Sequence, residues 1–184
     1  MTVIAGVRAG GAVFMAADSA TARGWELTVR QDVKAFRNRS YLIGFTTSWR
    51  MGQLLQYAFQ PPLPPQNGDL HRFMCTTWID DVRACLKAGG WAKLDNAQEQ
   101  GGEFLVGVNG RLFIVHGDYQ VAEPAADFAA IGCGADLALG ALHATTMWSA
   151  RRRLGAAMAA AEQFSAGVCG PFTYLRLGKT AGKS

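Results

Sequence analysis

Residues 2–18 read TVIAGVRAGGAVFMAAD, and this stretch decides the fold. Thr2–Arg8 is an apolar run of the kind that forms a buried strand. Gly10–Gly11 provides a tight turn, and Ala12–Ala17 reads as a second buried strand that ends at Asp18. The sequence therefore predicts a β-hairpin over these residues.

Two further strand patterns and two helical patterns follow the hairpin. In the first helical pattern apolar residues recur every three or four positions, which is the period of an amphipathic helix. The proline-rich run 61–65 ends that helix, because proline cannot continue the helical hydrogen bonding. We predict strands over Val33–Phe36 and Tyr41–Phe45, and helices over Ser48–Phe59 and Leu70–Leu86.

The second half of the chain repeats this order. Ala88–Gly102 is rich in Gly, Asn and Gln, which predicts a loop, and Asn109–Gly110 is a strong signal for a type I′ hairpin turn. Two mainly antiparallel sheets packed face to face, with a pair of helices outside each, bury all these apolar faces. We therefore predict an α+β fold, a four-layer αββα sandwich. Its second half has strands over 103–108, 111–116 and Pro171–Leu177, and helices over Gly132–Ala144 and Arg153–Phe164.

Length and composition limit the class of protein. The chain has 184 residues, of which 49% are hydrophobic and 17% charged, so we expect one domain over residues 1–184 and some apolar surface shared with partner subunits. No apolar run approaches the roughly 18 to 20 residues of a membrane span, and no secretion signal precedes the first strand. The four cysteines lack the spacing of a zinc site or disulfide framework, so we expect reduced thiols in the cytoplasm, with no metal or cofactor.

The formal net charge of +4 raises the question of nucleic-acid binding. The basic cluster at Arg151–Arg153 is its best support, but the cluster is short, has no interleaved aromatic residues and opens an Ala-rich helical stretch. We interpret it as a solvated helix end and expect neither nucleic acid nor a membrane as a partner.

Three polar residues stand at equal intervals in this pattern. Thr2 follows Met1 directly, Asp18 comes sixteen residues after Thr2, and Lys34 comes sixteen residues after Asp18. With this series the chain resembles the proteasome β-subunits and the bacterial HslV peptidase, which are N-terminal-nucleophile (Ntn) hydrolases.

The resemblance extends through most of the chain and is weakest between residues 60 and 101. It also rests on GAVFMAADSAT at Gly11–Thr21, on SYLIGF at Ser40–Phe45, and on DFAAIGCG at Asp127–Gly134, where the family has a segment ending in IGSG. The resemblance implies the Ntn sandwich fold and threonine-type endopeptidase activity.

The resemblance also implies roles for the three polar residues. Thr2 would be the nucleophile once Met1 is removed, with its own α-amine as the base, since the reference pKa of that amine is about 7.7 to 8.0. Lys34 would favour the deprotonated forms through its charge, and Asp18 would pair with Lys34 and orient it. The acyl-enzyme would then be hydrolysed by water.

Supporting roles follow from aligning the chain with the family. The backbone N–H of Ser48 would be the oxyanion donor, at a position where the family has glycine. Cys133 stands where the family often has serine near the nucleophile. Glu162 and Ser165 match the spacing of an Asp and Ser pair of the family, although a shifted alignment would remove both from the site. The primary specificity pocket would be lined by Thr21, Asp32, Phe36, Thr46 and Arg50.

Substrate preference and partners stay open at this point. Asp32 would favour basic side chains, but Arg50 could neutralise it. The resemblance implies a polypeptide substrate, a homo-oligomeric ring or stacked assembly, and an ATP-dependent unfoldase as a possible partner. Two alternatives remain: a non-catalytic ring subunit, and an Ntn amidase that acts on a small amide and in which Lys34 has no necessary part.

Overall fold

The structure is a computed structural model, and it describes residues 1–23, 26–91, 93–95 and 98–178. Its strands are β1 (Ile4–Ala9), β2 (Ala12–Ala17), β3 (Ala20–Arg23), β4 (Glu26–Val29), β5 (Ala35–Asn38), β6 (Tyr41–Phe45), β7 (Lys93–Asp95), β8 (Gln98–Gln100), β9 (Phe104–Val108), β10 (Arg111–Val115), β11 (Val121–Ala122), β12 (Phe128–Ile131) and β13 (Thr173–Gly178).

The helices form one pair after β6 and a second pair after β12. In the first pair, α1 continues into the π-helical stretch Leu54–Ala58, and α2 passes through the π-helical stretch Met74–Trp78 into α3. The α-helices of the described residues are α1 (Trp49–Gln53), α2 (Leu70–Phe73), α3 (Ile79–Ala88), α4 (Ala135–Ala144) and α5 (Ala150–Phe164).

The strands form two larger antiparallel sheets. The first has the order β12-β1-β2-β13 and the second has the order β11-β10-β9-β6-β5. In the first, the β1–β2 hairpin turns at Gly10 and Gly11, whose φ angles are +56° and +70°. In the second, Asn109 and Gly110 have φ of +49° and +76°, so the predicted turn with two positive φ angles is confirmed.

Three separate apolar clusters show how the layers stack. Ile4, Val13 and Met15 of the first sheet pack against Leu42 and Leu105 of the second, so one cluster lies between the sheets. A second cluster joins the other face of the first sheet to α4 and α5, and a third joins the other face of the second sheet to α1, α3 and the π-helical stretches. The helix–sheet–sheet–helix order confirms the predicted αββα sandwich.

Several details differ from the sequence-based predictions. The hairpin of β3 and β4 was not predicted, because Leu27 and Val29 of β4 are exposed and the strand lacks an alternating buried face. The predicted loop 88–102 is wrong in part, since β7 pairs with β8 within it. Positions 92, 96 and 97 of that loop lie outside the described residues.

The basic cluster is also not uniformly solvated. α5 begins at Ala150 rather than Arg153, and Arg153 is buried, where its guanidinium pairs with the Asp127 carboxylate at 2.5 Å and donates to the Leu142 carbonyl at 3.1 Å. Only Arg151 and Arg152 are exposed as predicted. Across the described parts of the chain, none of the helices has the length and apolarity to cross a membrane.

Candidate active site

A buried ion pair lies where the ends of three strands meet. Asp18 directly follows β2, Lys34 directly precedes β5, and Thr2 stands just before β1. The Lys34 ammonium lies 3.0 and 2.9 Å from the two carboxylate oxygens of Asp18. Thr2, Asp18 and Lys34 are 3%, 1% and 2% exposed, so water competes little for these contacts. The structure thus brings the three residues together as one buried polar cluster.

Backbone groups complete the coordination of the Asp18 carboxylate. The N–H of Val3 donates to one carboxylate oxygen at 3.0 Å, and the N–H of Ala20 donates to the other at 2.9 Å. Because charge-assisted hydrogen bonds of this kind are strong and directional, they hold the carboxylate in one orientation independently of Lys34. Asp18 therefore orients the ammonium from a rigid position.

Burial and the carboxylate act in opposite directions on Lys34. Loss of solvent lowers the pKa of the Lys34 ammonium below its ordinary value, and attraction by Asp18 opposes that shift. The lowering prevails, because burial is the larger of the two effects. An ammonium of this kind still pairs with Asp18 but holds its proton less tightly than an exposed lysine.

The turn before α4 encloses Thr2 from the other side. The Thr2 N–H lies 3.3 Å from the Cys133 sulfur, and the Gly134 N–H donates to the Thr2 carbonyl at 3.2 Å. Gly132 has φ of +93°, and a Cβ there would collide with the Thr2 carbonyl oxygen. Glycine is therefore required at this position both for its backbone angle and for its close approach to Thr2.

The Met1 carbonyl oxygen joins the hydroxyl and the ammonium. The Thr2 hydroxyl and the Lys34 ammonium both donate to it, the latter at 3.2 Å. The Met1 side chain is 55% exposed and lies over the backbone of Gly167. With Met1 attached, the Thr2 nitrogen is an amide, and an amide nitrogen cannot act as the base that the family chemistry needs.

The turn segment, which we define as Thr46–Arg50, forms another wall of the site. Thr47 has φ of +76°, an unusual value for a β-branched residue, and the Ser48 N–H donates to the Thr46 carbonyl at 2.9 Å across it. The Ser48 hydroxyl caps α1 by accepting from the N–H of Arg50 at 3.1 Å. The backbone N–H that the sequence assigned to the oxyanion is thus engaged within the turn segment.

A cavity of about 120 Å³ opens beside Thr2. Of the predicted pocket residues, Thr21 and Thr46 line it. Asp32, Phe36 and Arg50 are not among the described residues that line it. The lining consists of Met1, Thr2, Ala20, Thr21, Ala22, Lys34, Phe45, Thr46, Thr47, Ser48 and Trp49.

The three predicted residues outside the lining have other partners. Asp32 accepts two hydrogen bonds from Arg30, both at 2.6 Å, and these contacts lower the pKa of the Asp32 carboxyl. Phe36 is buried in the core between the second sheet and its helices, and Arg50 donates to the Gly89 carbonyl at 3.1 Å.

The predicted supporting residues are only partly gathered at the site. Ser165 lies 3.6 Å from Cys133 through their side-chain oxygen and sulfur, so it is one contact removed from Thr2. Glu162 is exposed and accepts from the Gly170 N–H at 2.8 Å. Within the described part of the chain, no group of three or more His, Cys, Asp or Glu residues is arranged to hold a metal ion.

Sequence reasoning missed Trp49 and Arg30. The Arg30 guanidinium lies 4.2 Å from the centre of the Trp49 ring, and the Trp49 indole N–H donates to the Thr21 hydroxyl at 2.9 Å. Ungapped spacing pointed to the residue after Trp49, and the strand β4, which Arg30 directly follows, was not predicted. The one signal available for Trp49 was that it is an aromatic residue at the start of a predicted helix, next to the predicted pocket residue Arg50.

Searches with family models and among curated proteins found no match to this sequence. Solved structures do match. A structure of Thiobacillus denitrificans BPH has a TM-score of 0.80 and 23% identity, covering 98% of this chain and 100% of that chain. A second BPH structure, in complex with epoxomicin, has a TM-score of 0.79 and 22% identity, covering 97% of this chain and 100% of that one.

A eukaryotic HslV from Trypanosoma brucei is similar as well. Its TM-score is 0.68 at 19% identity, and the match covers 96% of this chain and 99% of that chain. Identities this low establish the shared fold and not the activity. The chain therefore has the proteasome-type Ntn fold, which the resemblance of its sequence to that family predicted.

Proposed function

We propose that this chain is a threonine-type endopeptidase of the proteasome and HslV class, in which Thr2 becomes the N-terminal nucleophile once Met1 is removed. The observation that carries the proposal is the buried arrangement of Lys34, held by Asp18, with its ammonium beside the Thr2 side chain through their shared acceptor, the Met1 carbonyl. A residue that serves packing alone does not need a buried ammonium at this point, because burying it costs free energy.

The first half of the reaction forms an ester. The freed α-amine of Thr2 takes the hydroxyl proton, directly or through one water, while the hydroxyl oxygen attacks the carbonyl carbon of the scissile peptide bond. The carbon–nitrogen bond then breaks, and the leaving amine receives the proton that the Thr2 amine holds. The positive charge of Lys34 stabilises the developing negative charge on the Thr2 oxygen.

The second half regenerates the enzyme. Water gives a proton to the Thr2 amine and attacks the ester carbon, the bond to the Thr2 oxygen breaks, and that oxygen recovers its proton as the carboxylic acid leaves. Both tetrahedral intermediates carry an oxyanion that needs a donor, and the Ser48 N–H fills this role when its bond to the Thr46 carbonyl opens.

The proposed assembly and cellular location follow from the proposed class of peptidase and not from the structure of a single chain. We propose that copies of this chain form a ring or stacked homo-oligomer in the cytoplasm that encloses the nucleophiles, and that an ATP-dependent unfoldase supplies the polypeptide substrate. Exposed apolar side chains on several elements, among them Tyr57, Leu63, Met147 and Phe164, are compatible with contacts between copies.

Intact mass spectrometry tests the central claim. Protein from its native expression is incubated with a peptide-based covalent inhibitor, for which epoxomicin is a reasonable choice because one similar BPH structure contains it. We expect one adduct on a chain that lacks Met1 and none on Thr2→Ala. Exposed Thr28→Ala, in β4, serves as a matched control and should react like the unchanged protein.

The mass measurement, together with turnover assays, separates the alternatives. A chain that keeps Met1 and forms no adduct is a non-catalytic subunit, and the proposal is then wrong. A chain that lacks Met1 and turns over small amides but no fluorogenic peptide is an amidase. Lys34→Ala helps to distinguish a peptidase from an amidase. A peptidase of the proposed class should lose activity in this variant, whereas the amidase alternative does not require the ammonium.

A further inference from the structure

A proline-rich stretch joins the π-helical stretch Leu54–Ala58 to α2, and the proposed reaction does not use it. We define the proline segment as Pro61–Pro65, which reads PPLPP and belongs to neither a helix nor a strand. It contributes no residue to the described lining of the cavity beside Thr2. It also lies between residues 60 and 101, where the resemblance to the family is weakest. The chemistry of Thr2 therefore does not account for this segment.

The residues of the proline segment favour one extended backbone conformation. Each proline locks φ near −65°, and a residue that precedes a proline avoids the α region. Four of the six residues 60–65 precede a proline, and the peptide bonds that lead into the four prolines are trans. The chain enters the segment from Phe59 at φ of −68° and ψ of 127°, close to polyproline II values. The sequence thus favours a polyproline II helix with three residues per turn.

One side of the proline segment is tied to the hairpin of β5 and β6. The Tyr41 hydroxyl donates to the Pro62 carbonyl at 2.8 Å, and the Arg39 guanidinium donates to the Pro61 carbonyl at 3.4 Å. Pro61 is buried, and so is the ring of Tyr41. Because these contacts already hold the backbone, a partner that binds the segment immobilises little further chain.

The other side of the proline segment is open to solvent. Leu63 is 77% exposed, and Tyr57, near the end of the preceding π-helical stretch, is 75% exposed. Pro62 and Pro65 are half-buried, and with three residues per turn they lie on the same edge of the polyproline II helix, next to the edge that carries Leu63. Two prolines three residues apart beside an aliphatic side chain form the pattern that grooves lined by aromatic side chains bind.

Charge and backbone chemistry narrow the kind of partner. Arg37 and Arg39 are exposed, and the Arg39 guanidinium also lies 3.4 Å from the side-chain oxygen of Gln60, at the start of the segment. Both guanidiniums bond to carbonyl or amide oxygens, and no carboxylate of the described residues pairs with either of them. Four of the five residues of the proline segment lack an N–H, so it cannot pair as a strand with a partner. These features favour a groove with an acidic rim over an added strand.

A second copy of this chain does not offer such a groove. Among the described residues, the exposed aromatic side chains are those of Tyr57, Trp148 and Phe164. Tyr57 shortly precedes the proline segment itself, while Trp148 and Phe164 lie at opposite ends of α5 and do not line one surface. A different protein is therefore the better match.

We propose that the proline segment is a docking site for a partner protein that binds polyproline II helices in a groove lined by aromatic side chains and rimmed by acidic residues. The edge formed by Pro62 and Pro65 enters the groove, Leu63 packs beside it, and Arg39 faces the acidic rim. Tryptophan and tyrosine suit such a groove, because each combines an apolar ring with a donor for the carbonyls of the segment. The inference does not depend on the proposed peptidase activity.

Titration with isolated recognition domains tests the inference. The probes are an SH3 domain with an acidic groove rim and a WW domain, each isotope-labelled and observed by NMR while the unlabelled full chain is added. We expect shifts or broadening confined to the aromatic groove of at least one probe. The double variant Pro62→Ala/Pro65→Ala should weaken this binding at least about tenfold, as removal of central contact residues does. Thr2→Ala should bind like the unchanged protein, so loss of peptidase activity and loss of docking are separate results.

Variants with matched controls identify the contacts. Leu63→Asp changes an exposed side chain without disturbing the core and places a negative charge against the acidic rim, so it should also abolish binding. Arg39→Gln should weaken binding about two- to fivefold at low salt and less at high salt, because screening reduces the attraction between charges. Half-buried Pro124, which lies just after β11, and exposed Arg152 supply the controls, and Pro124→Ala and Arg152→Gln should leave the affinity unchanged.

Three results would overturn the inference. The first is that neither probe binds the unchanged protein. The second is that a probe binds but its affinity is the same for Leu63→Asp, which would place the contact elsewhere on the chain. The third is that Leu63→Asp alters the size of the protein in solution, measured by light scattering, because the proline segment would then be a contact between copies of this chain.

Discussion

Two walls of the same site differ in how they are held. The ion-pair cluster, made of Thr2, Asp18 and Lys34, is buried, and each oxygen of its carboxylate accepts from the ammonium and from a backbone N–H. In the turn segment Thr47 is exposed with a positive φ angle, and the Ser48 N–H is used locally. One wall is fixed by sheet register, and the other by a short strained turn.

The difference has a consequence for the proposed reaction. The ion-pair cluster needs no rearrangement beyond the loss of Met1, because strand pairing already sets its distances. The turn segment must release the Ser48 N–H from the Thr46 carbonyl before that group can stabilise an oxyanion. Strained backbone that is held near a reactive residue stores part of the free energy for such a change.

The largest expected effect comes from breaking the ion-pair cluster. Lys34→Met removes the positive charge and leaves the Asp18 carboxylate buried without its counter-ion. We expect a loss of about 3 to 5 kcal/mol in the free energy of unfolding and a decrease in Tm of about 6 to 20 °C. Peptidase activity should fall by at least about a hundredfold. Thermal unfolding and kcat/KM measure the two losses.

The pH dependence of stability identifies the cause of that loss. Because burial lowers the pKa of Lys34 in the folded chain, the unfolded chain binds more protons in the window between that pKa and the ordinary value of 10.5. Through this window Lys34 makes the free energy of unfolding rise with pH. The difference in the free energy of unfolding between the unchanged protein and Lys34→Met, measured as a function of pH, should show this slope.

The ion-pair cluster was accessible to sequence reasoning because the resemblance to the proteasome-type family assigned Thr2, Asp18 and Lys34 to one site. The hairpin of β1 and β2 places Thr2 and Asp18 side by side, and the equal spacing to Lys34 reaches the start of β5. The apolar faces of the strands and helices likewise followed from periodicity, so the four-layer sandwich was predictable.

The turn segment was not accessible in the same way. The φ angle of Thr47 contradicts the preference of a β-branched residue, and Trp49 of the same segment meets Arg30, which directly follows the exposed strand β4. Such contacts depend on tertiary packing, which spacing along the chain does not encode. Asp32, Phe36 and Arg50 lie outside the lining of the cavity, and their assignment to the specificity pocket stays a prediction.

An intermediate effect is expected from relaxing the turn segment. Thr47→Gly permits the positive φ without strain, so it stabilises the arrangement in which the Ser48 N–H is bound to the Thr46 carbonyl and makes its opening harder. We expect kcat to fall about two- to tenfold, the range that corresponds to a net 0.5 to 1.5 kcal/mol. Stability should change by less than about 1 kcal/mol, because relief of the backbone strain offsets the loss of the bond between the Glu103 N–H and the Thr47 hydroxyl at 3.2 Å.

A second positive-φ residue supplies the comparison for this variant. Arg39 has φ of +53° in the turn between β5 and β6 and is exposed. Arg39→Gly should relieve its own backbone and leave kcat unchanged. A kcat of Thr47→Gly that is unchanged or higher would mean that the turn does not need to open, and the Ser48 N–H would then act in the arrangement already seen.

The smallest expected effect concerns the turn before α4, where the Cys133 sulfur lies 3.3 Å from the Thr2 nitrogen. A thiol is a weak hydrogen-bond partner, whereas a hydroxyl holds an amine more firmly, so Cys133→Ser should raise kcat/KM by about two- to fivefold. If Cys133 positions the amine without changing its basicity, the pH profile of kcat/KM rises in height while its midpoint stays in place. A shifted midpoint would instead show that the sulfur tunes the base itself, and Cys75→Ser, at an exposed thiol, should alter neither quantity.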